Sequence, residues 1–208
     1  MDSILPTMDA AEAFNMLEGA LAELRDTKRQ LLVVQEQLDE MNALVFEQSA
    51  TDALTGLKNR AAFDRIMKQQ AARTGRSKAP LSVLIIDVDH CKAYNEKHGR
   101  VGGDEALQQV ATLLKGYARA YDYVLRYQSD EFAVVLPDTP LDAAWIVAER
   151  ARLGLKNLAW RHQAVTVSIG AAVAASNEQS ATVTERAVAA LKLAKLAGGN
   201  RTVLDTVV

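Results

Sequence analysis

The residues best suited to chemistry lie at positions 126–132, Arg-Tyr-Gln-Ser-Asp-Glu-Phe, between the apolar runs 123–125 and 133–136. This pattern predicts a β-hairpin with Asp130 and Glu131 at its tip. Carboxylates on a tight turn suit a hard cation that carries phosphate groups. Glycines just before them would expose backbone N–H groups to a phosphate, but Gln128 and Ser129 stand there. The tip therefore combines ligands for a nucleotide with side chains that obstruct it.

The composition is that of an ordinary globular protein with one domain and an appendage. The chain has 208 residues, of which 49% are hydrophobic and 24% are charged, and its net charge is −2. This near balance argues against a nucleic-acid binder, which usually has a basic face. No apolar run reaches the roughly 18 residues of a membrane helix, and no secretory signal is recognisable. The single cysteine, Cys91, fits a reducing cytosol.

Residues 1–48 are predicted to form an N-terminal unit built on one long helix over residues 9–48. An apolar ladder recurs every seven residues at Leu17, Leu24, Leu31, Leu38 and Val45. Its companions are Phe14 and Leu21 in the first half, and Val34 and Met41 in the second. The companions change sides near Lys28, which is a stammer-like discontinuity. The pattern favours an intermolecular coiled coil, most simply a dimer, over a helix packed on its own domain.

Residues 49–208 alternate helix and strand patterns. Helices are predicted at 59–73, 90–98, 104–118, 141–157 and 182–197. Strands are predicted at 81–87, in the hairpin, at 165–174 and at 202–204. The β-branched run at 81–87 indicates a buried central strand. The fold class is therefore α/β, with a central mixed β-sheet flanked by helices and preceded by the long helix.

Several segments together resemble the GGDEF domains of the diguanylate cyclase family. The matching segments are 51–60 (Thr-Asp-Ala-Leu-Thr-Gly-Leu-Lys-Asn-Arg), 87–95 (Asp-Val-Asp-His-Cys-Lys-Ala-Tyr-Asn), 99–104, the hairpin, 166–170 (Thr-Val-Ser-Ile-Gly) and 194–195. Each is weak alone, but their order and spacing over residues 50–208 are specific. The resemblance implies a nucleotidyl-cyclase-like fold and a bacterial cytoplasmic location.

The family's signature is degenerate in this chain. Its position is Gln-Ser-Asp-Glu-Phe at 128–132, whereas the intact-looking Gly-Gly-Asp-Glu at 102–105 is expected in the loop that enters a helix. That second stretch matches the family's guanine-recognising Gly-Asp. The residues alone leave other roles open. Asp87 would cap the following helix, and Asn95 and Asp104 would serve ordinary loop structure.

The resemblance implies condensation of two GTP molecules into cyclic di-GMP, in which each 3′-hydroxyl attacks the other α-phosphorus and expels pyrophosphate. Mg²⁺ ions would neutralise the phosphates and activate the hydroxyl. By resemblance, Asp87, Asp130 and the Val88 carbonyl are the metal ligands, and Glu131 is the acid near the metal and hydroxyl. The nucleotide contacts implied are Asn95 and Asp104 for guanine, and Lys92 and Lys195 for phosphate. Mg²⁺ is expected only with GTP, and no cofactor is obligatory.

Three departures from the family's pattern argue against turnover. Gln128 and Ser129 replace glycines, and Gly199 stands where the family has a phosphate-binding arginine. Losing such an arginine removes a contact of about 1.5–3 kcal/mol. Arg201 lies two residues on, at an offset that points it elsewhere. Cys91 replaces the family's usual phenylalanine, a loss of packing more than of chemistry.

The family's RxxD inhibitory-site motif is retained as Arg119-Ala-Tyr-Asp122, at the family's own distance from the hairpin. Arg150 matches a second arginine that some members bring to the same cyclic di-GMP ligand. Arginine binds a guanine edge or a phosphate in a forked geometry, and Asp122 can accept from guanine N–H groups. The alternative from the residues alone is a surface ion pair between Arg119 and Asp122.

Three functions compete at this point. The favoured one is a catalytically impaired GGDEF domain that senses cyclic di-GMP at the RxxD motif. The second is an active diguanylate cyclase with RxxD product feedback. The third is a dimerising scaffold that binds no nucleotide. The partners expected are cyclic di-GMP, GTP in the second case, a second copy of the chain and a protein that the sequence does not identify.

Overall fold

The computed structural model describes residues 9–175 and 178–205. Its two compact units meet in sequence between Ser49 and Ala50. The first unit contains one helix, α1 (Ala10–Ser49), where a long helix is predicted. The ladder residues Leu17, Leu24, Leu31 and Leu38 are 57–64% exposed. The side chain of Val45 lies outside the described residues.

The second unit is built on a five-stranded sheet with strand order β2-β3-β1-β4-β5. The strands are β1 (Leu81–Val88), β2 (Tyr123–Arg126), β3 (Glu131–Pro137), β4 (Val167–Val173) and β5 (Thr202–Leu204). β1 pairs antiparallel with both β3 and β4, and β5 is parallel to β4. The predicted mixed sheet is therefore confirmed. Every residue of β1 is buried, because the strand lies at the centre of a sheet covered by helices.

Four helices flank this sheet among the described residues: α2 (Arg60–Ser77), α3 (Cys91–Tyr117), α4 (Leu141–Lys156) and α5 (Ser180–Leu196). The α2 N-terminus is capped by Asn59, whose side-chain oxygen accepts from the Ala62 N–H at 3.2 Å. None of the helices in the described ranges is long and apolar enough to cross a membrane.

Helix α3 differs from the prediction of two helices joined by a loop. It is interrupted only at Gly99, whose φ of 73° and ψ of 169° are non-helical. The expectation that Gly102 and Gly103 lie in a loop is therefore wrong, since both are helical, and Asp104 lies inside α3 and does not begin a separate helix. Two adjacent glycines suggest a loop because they are poor helix formers. Here their small size is needed for close packing, which outweighs that propensity.

Candidate functional site

Three carboxylates meet where β1 ends. Asp87 lies opposite Glu131 of β3 in the antiparallel ladder. Asp130 directly precedes β3, and its carbonyl accepts from the Val88 N–H at 3.2 Å. The centre of the sheet therefore brings together the residues that the family resemblance relates to metal binding and hydroxyl activation.

Burial sets the electrostatics of these carboxylates. Asp87 is only 4% exposed, and burial raises its pKa, with the charges of Asp130 and Asp89 adding to the rise and Lys195 opposing it. The pKa of Glu131 is raised by burial first and by the charge of Asp87 second. Carboxylates that raise one another's pKa favour a bound cation, which would relieve their repulsion.

Lys195 supplies a cation at this position. Its Nζ lies 2.5 Å from Oδ2 of Asp87. The structure thus places the Lys195 ammonium on the Asp87 carboxylate. The helix-capping alternative for Asp87 is not observed, because α3 begins after His90, where no side chain caps the helix.

The hairpin turn is bonded internally. Ser129 Oγ donates to Oδ1 of Asp130 at 2.9 Å, and the Gln128 N–H donates to the Glu131 carbonyl at 3.1 Å. Beneath the turn, the nearly buried Arg126 donates from Nε to the Gln128 carbonyl at 2.9 Å and from Nη2 to the Ser129 carbonyl. Its Nη1 lies 3.7 Å from Oδ1 of Asp52. Sequence reasoning did not identify this role of Arg126, although an arginine directly before the turn was a usable indication.

A cavity of about 540 Å³ lies beside the turn. Its lining includes Lys92, Asn95, Asp104, Ser129 and Asp130. The cavity therefore brings together both implied guanine contacts with one implied phosphate contact, Lys92, and one implied metal ligand, Asp130, whereas Asp87, Glu131 and Lys195 do not line it.

Gly103 gives Asn95 its place at this cavity. A Cβ at Gly103 would lie 1.6 Å from Asn95 Oδ1, so only glycine leaves room for that side chain. The Asn95 Nδ2 atom in turn lies 3.9 Å from the Cys91 sulfur. Gly103 and Asn95, which both belong to α3 on either side of the break at Gly99, thus pack directly against each other.

The turn at 198–200 is held by Asp89. That carboxylate accepts hydrogen bonds from Thr166 Oγ1 at 2.6 Å, from Ser168 Oγ at 2.6 Å and from the Asn200 N–H at 2.9 Å. Gly199 has a φ of 72°, and a Cβ there would lie 3.1 Å from Oδ1 of Asp89. Sequence reasoning missed Asp89, although the acidic pair at 87 and 89 was a usable indication.

Arg201 does not take the place of an arginine at position 199. Its Nε donates to the Gly199 carbonyl at 3.2 Å, and the side chain is exposed. Because Arg201 lies two residues after position 199, it was expected to point away from the place of the family's arginine. This contact is consistent with that expectation.

The RxxD motif forms a closed turn after α3. The Arg119 N–H donates to Oδ2 of Asp122 at 2.7 Å, and the Asp122 N–H donates to the Arg119 carbonyl at 3.1 Å. Asp122 therefore bonds the backbone of Arg119, and Arg119 takes part in none of the ion pairs within residues 9–175 and 178–205. The surface ion pair that was the alternative reading is not formed.

Arg150 lies against the end of α3. Its Nη2 donates to the Tyr117 carbonyl at 2.8 Å, and its guanidinium lies 5.1 Å from the Tyr117 ring centroid. A separate cavity of about 500 Å³ is lined by Arg119 and Asp122. The structure thus gives the two RxxD residues a common cavity and gives Arg150 a fixed position on Tyr117.

The donor set suits Mg²⁺ in kind, because Asp87, Asp130 and the Val88 carbonyl offer the oxygens that this ion prefers. Within the part of the chain that the structure describes, however, no three acidic, histidine or cysteine side chains converge on one point. Oδ2 of Asp87 faces Lys195, and Oδ1 of Asp130 faces Ser129. A metal ion would therefore compete with an ammonium and a hydroxyl for its ligands.

Comparison with known proteins gives a consistent result. The family model described as "Diguanylate cyclase, GGDEF domain" matches residues 49–201. Diguanylate cyclase DgcP of Pseudomonas aeruginosa is 35% identical over 159 residues, which are 74% of this chain and 24% of that protein. Diguanylate cyclase DosC of Escherichia coli K12 is 35% identical over 186 residues, 87% of this chain and 40% of that protein. The chain thus spans less than half the length of either relative.

Solved structures match both units. The coiled coil and GGDEF domain of DgcB from Caulobacter crescentus, in complex with c-di-GMP, has a TM-score of 0.74 and 29% identity, and the match covers 89% of this chain and 98% of that one. Diguanylate cyclase SiaD from Pseudomonas aeruginosa, in complex with its activator SiaC, has a TM-score of 0.73 and 29% identity, with 93% and 76% covered.

Proposed function

Since the chain belongs to the GGDEF family of diguanylate cyclases, we propose that it is a catalytically impaired member that binds cyclic di-GMP through Arg119, Asp122 and Arg150. In this proposal residues 49–208 are the sensor, and residues 1–48 dimerise it as a coiled coil. The observation that carries the proposal is the contrast between two cavities. Beside the cavity lined by Lys92, Asn95 and Asp104, here called the nucleotide cleft, Ser129 donates a hydrogen bond to the Asp130 carboxylate. At the cavity lined by Arg119 and Asp122, by contrast, the Arg119 guanidinium takes part in no ion pair with the described residues.

Impairment follows from the atoms around the hairpin. Mg²⁺, when bound with GTP, supplies charge neutralisation and a lower hydroxyl pKa. Ser129 engages one of the two carboxylates that would hold this ion. Position 199 has no guanidinium to bind a phosphate, which removes about 1.5–3 kcal/mol of binding free energy. Side chains at 128 and 129 also fill the space where a phosphate would approach the backbone.

Two of the matching structures bear on partners. DgcB was solved with c-di-GMP, and SiaD with an activator protein. Both matches extend over most of this chain, including a large part of α1. These likenesses support cyclic di-GMP as a ligand and a protein partner as a source of input or a recipient of output. A soluble, cytoplasmic, bacterial setting belongs to the same proposal.

An active diguanylate cyclase with RxxD feedback is the second candidate. The observation that favours it is the assembly of the cleft, because Asp87, Asp130 and Glu131 all lie at the same end of β1 and β3. Asn95 and Asp104 also line a single cavity with Lys92. In that case Glu131 would lie near the reacting hydroxyl, and two domains would face each other to join two GTP molecules.

Thermal unfolding with cyclic di-GMP, together with a GTP turnover assay, separates these functions. A ligand that binds only the folded state stabilises it by about 2.7 kcal/mol at a hundredfold excess over Kd. We expect the wild type to gain thermal stability and Arg119→Ala to lose this gain. The control is Arg100→Ala, because Arg100 is an exposed arginine that lines the other cavity. No gain for the wild type at hundreds of micromolar ligand refutes the sensor, and a gain lost only in Arg100→Ala moves the site to the nucleotide cleft.

A further inference from the structure

The cavity at the RxxD motif, here called the RxxD cavity, carries more positive charge than the motif alone supplies. Its charged lining residues are Lys58, Lys115, Arg119 and Asp122. Three cations thus surround a space of about 500 Å³ with a single carboxylate. Lys58 and Lys115 did not emerge from sequence reasoning, because they are far apart in the chain and belong to no motif.

The backbone fixes where Lys58 stands. It forms isolated bridges with Thr51 on one side and with Leu125 of β2 on the other. Its carbonyl also accepts from the Arg126 N–H at 2.8 Å. Lys58 therefore belongs to a short strand-like segment beside the edge strand β2, where hydrogen bonds hold its main chain and the residue lines the cavity.

Lys115 approaches from another element. It lies in the last turn of α3 and precedes Arg119 by four residues. A lysine in the last turn is favourable for the helix macrodipole, but that effect does not require a cavity or a second cation. Lys115 lines the same cavity as Lys58 because of the tertiary structure, independently of its effect on the helix.

These cations are not neutralised by the described protein. Lys58, Lys115 and Arg119 take part in none of the ion pairs found within residues 9–175 and 178–205. Asp122, the one carboxylate present, already accepts from the Arg119 N–H. A concave surface lined by charges of one sign concentrates its field and attracts the opposite charge.

We propose that Lys58 and Lys115 are phosphate contacts of the RxxD cavity, where they bind the phosphodiester oxygens of the cyclic dinucleotide. Asp122 and Arg119 recognise the guanine, and the two lysines supply affinity without base selectivity. A lysine ammonium suits this task because it acts as a point charge on a flexible stem. This inference rests on the proposed function and adds a binding surface that the RxxD motif does not include.

The test is calorimetric titration of the full chain with cyclic di-GMP at several salt concentrations. The variants are Lys58→Ala, Lys115→Ala and their combination, with Lys192→Ala as control because Lys192 is an exposed lysine on α5. Each single change should weaken binding about threefold and the combination about tenfold, as expected for exposed charge contacts. The combination should also flatten the salt dependence of Kd, because fewer screened contacts remain. Main-chain bonds of Lys58 survive in these variants, and unfolding without ligand checks that the fold is intact.

The outcomes separate this inference from the proposed function. If the double variant binds within twofold of wild type while Arg119→Ala does not bind, the lysine contacts are refuted and the sensor stands. If Lys192→Ala weakens binding as much as the double variant, the effect is general charge attraction and the inference is wrong. If the wild type binds no cyclic di-GMP, the proposed function fails and this inference fails with it.

Discussion

Ser129 Oγ donates a hydrogen bond to Oδ1 of Asp130 at 2.9 Å. In the proposed function Ser129 replaces a glycine and Asp130 is a metal ligand, so the hydrogen bond joins the substituted position to a proposed ligand. Under that proposal a serine here would have two effects, because it would add bulk where a phosphate approaches and would engage one oxygen of the ligand. Arg126 holds the same turn from below through the carbonyls of Gln128 and Ser129. The hairpin turn at residues 126–131 is therefore held by several hydrogen bonds.

The first prediction concerns turnover. Purified wild-type protein with GTP and Mg²⁺ or Mn²⁺ should form negligible cyclic di-GMP, measured by chromatography of the products. Gln128→Gly combined with Ser129→Gly removes both obstructing side chains and should restore at most partial activity, since Gly199 still supplies no guanidinium. Robust production by the unmodified chain would falsify the impairment and favour the cyclase.

The second prediction concerns Gly199, whose φ is 72°. Gly199→Arg in the Gln128→Gly, Ser129→Gly background should tighten GTP binding, because it adds a charge-assisted phosphate contact. The left-handed backbone should cost about 1–2 kcal/mol in unfolding free energy, and the Cβ would also press on Asp89. Gly199→Ala is the matched control, since it carries the same backbone cost without the guanidinium. Equal GTP affinity in the two variants would show that position 199 does not reach the phosphates.

Local pattern was sufficient to predict most of this fold. The β-branched run at 81–87 predicted the central strand β1, and the two apolar runs around the turn predicted β2 and β3. The error at α3 arose because residues 102–105 were placed in a loop from the order of the family's motifs. The structure shows that Gly103 is small because Asn95 packs against it. That contact joins two helical segments across the break at Gly99, and no local pattern contains it.

Long-range hydrogen bonds were the part of the site that the sequence did not reveal. Asp89 bonds Thr166, Ser168 and Asn200, residues from the distant end of the chain. Their convergence depends on the neighbouring positions of β1, β4 and the turn before β5. By contrast, Asp87 and Glu131 could be related in advance, because a family motif fixed each at a strand end. Sequence motifs can thus indicate which groups would contact a ligand. The residues that hold those groups in place can be identified only when the topology of the fold is known.

The third prediction concerns α1. If residues 9–48 form a two-stranded coiled coil, Leu31→Lys or Leu38→Lys should weaken self-association, because each places a charge in the apolar seam. Leu32→Lys is the control, since Leu32 lies on the same helix, is 61% exposed and stands outside the ladder. Light scattering at tens of micromolar protein measures the mass. A monomeric wild type contradicts the coiled coil, and equal weakening by Leu32→Lys contradicts the assigned seam.

The last prediction concerns the ion pair between Glu149 and Arg152, which both lie on α4. The pair also bonds to Thr202 of β5 and to Asn200 before it. Glu149 Oε1 accepts from Arg152 Nε at 2.9 Å and Oε2 from Arg152 Nη2 at 2.6 Å, and Thr202 Oγ1 adds a bond to Oε1 at 2.7 Å. The hydrogen bonds from Arg152, with help from Thr202, lower the pKa of Glu149 from 4.5 despite its burial. Arg152 Nη1 also reaches the Asn200 carbonyl at 3.2 Å. The pair therefore supports the turn that carries Gly199.

A carboxyl whose folded-state pKa is lowered stabilises the fold above its unfolded-state pKa, and this contribution is lost as pH falls through the folded-state value. Glu149→Gln should therefore lower the unfolding free energy at pH 7 by about 1.5–3 kcal/mol, as expected for hydrogen bonds to a charged group. The deficit should persist down to about pH 4.5 and shrink below it, as Glu149 becomes protonated in the folded wild type. Denaturant unfolding of both proteins between pH 7 and pH 3 measures this difference. Glu185→Gln, an exposed change on α5, should leave stability unchanged throughout. A Glu149→Gln deficit that stays constant down to pH 3 would assign the loss to packing and not to the charge of the pair.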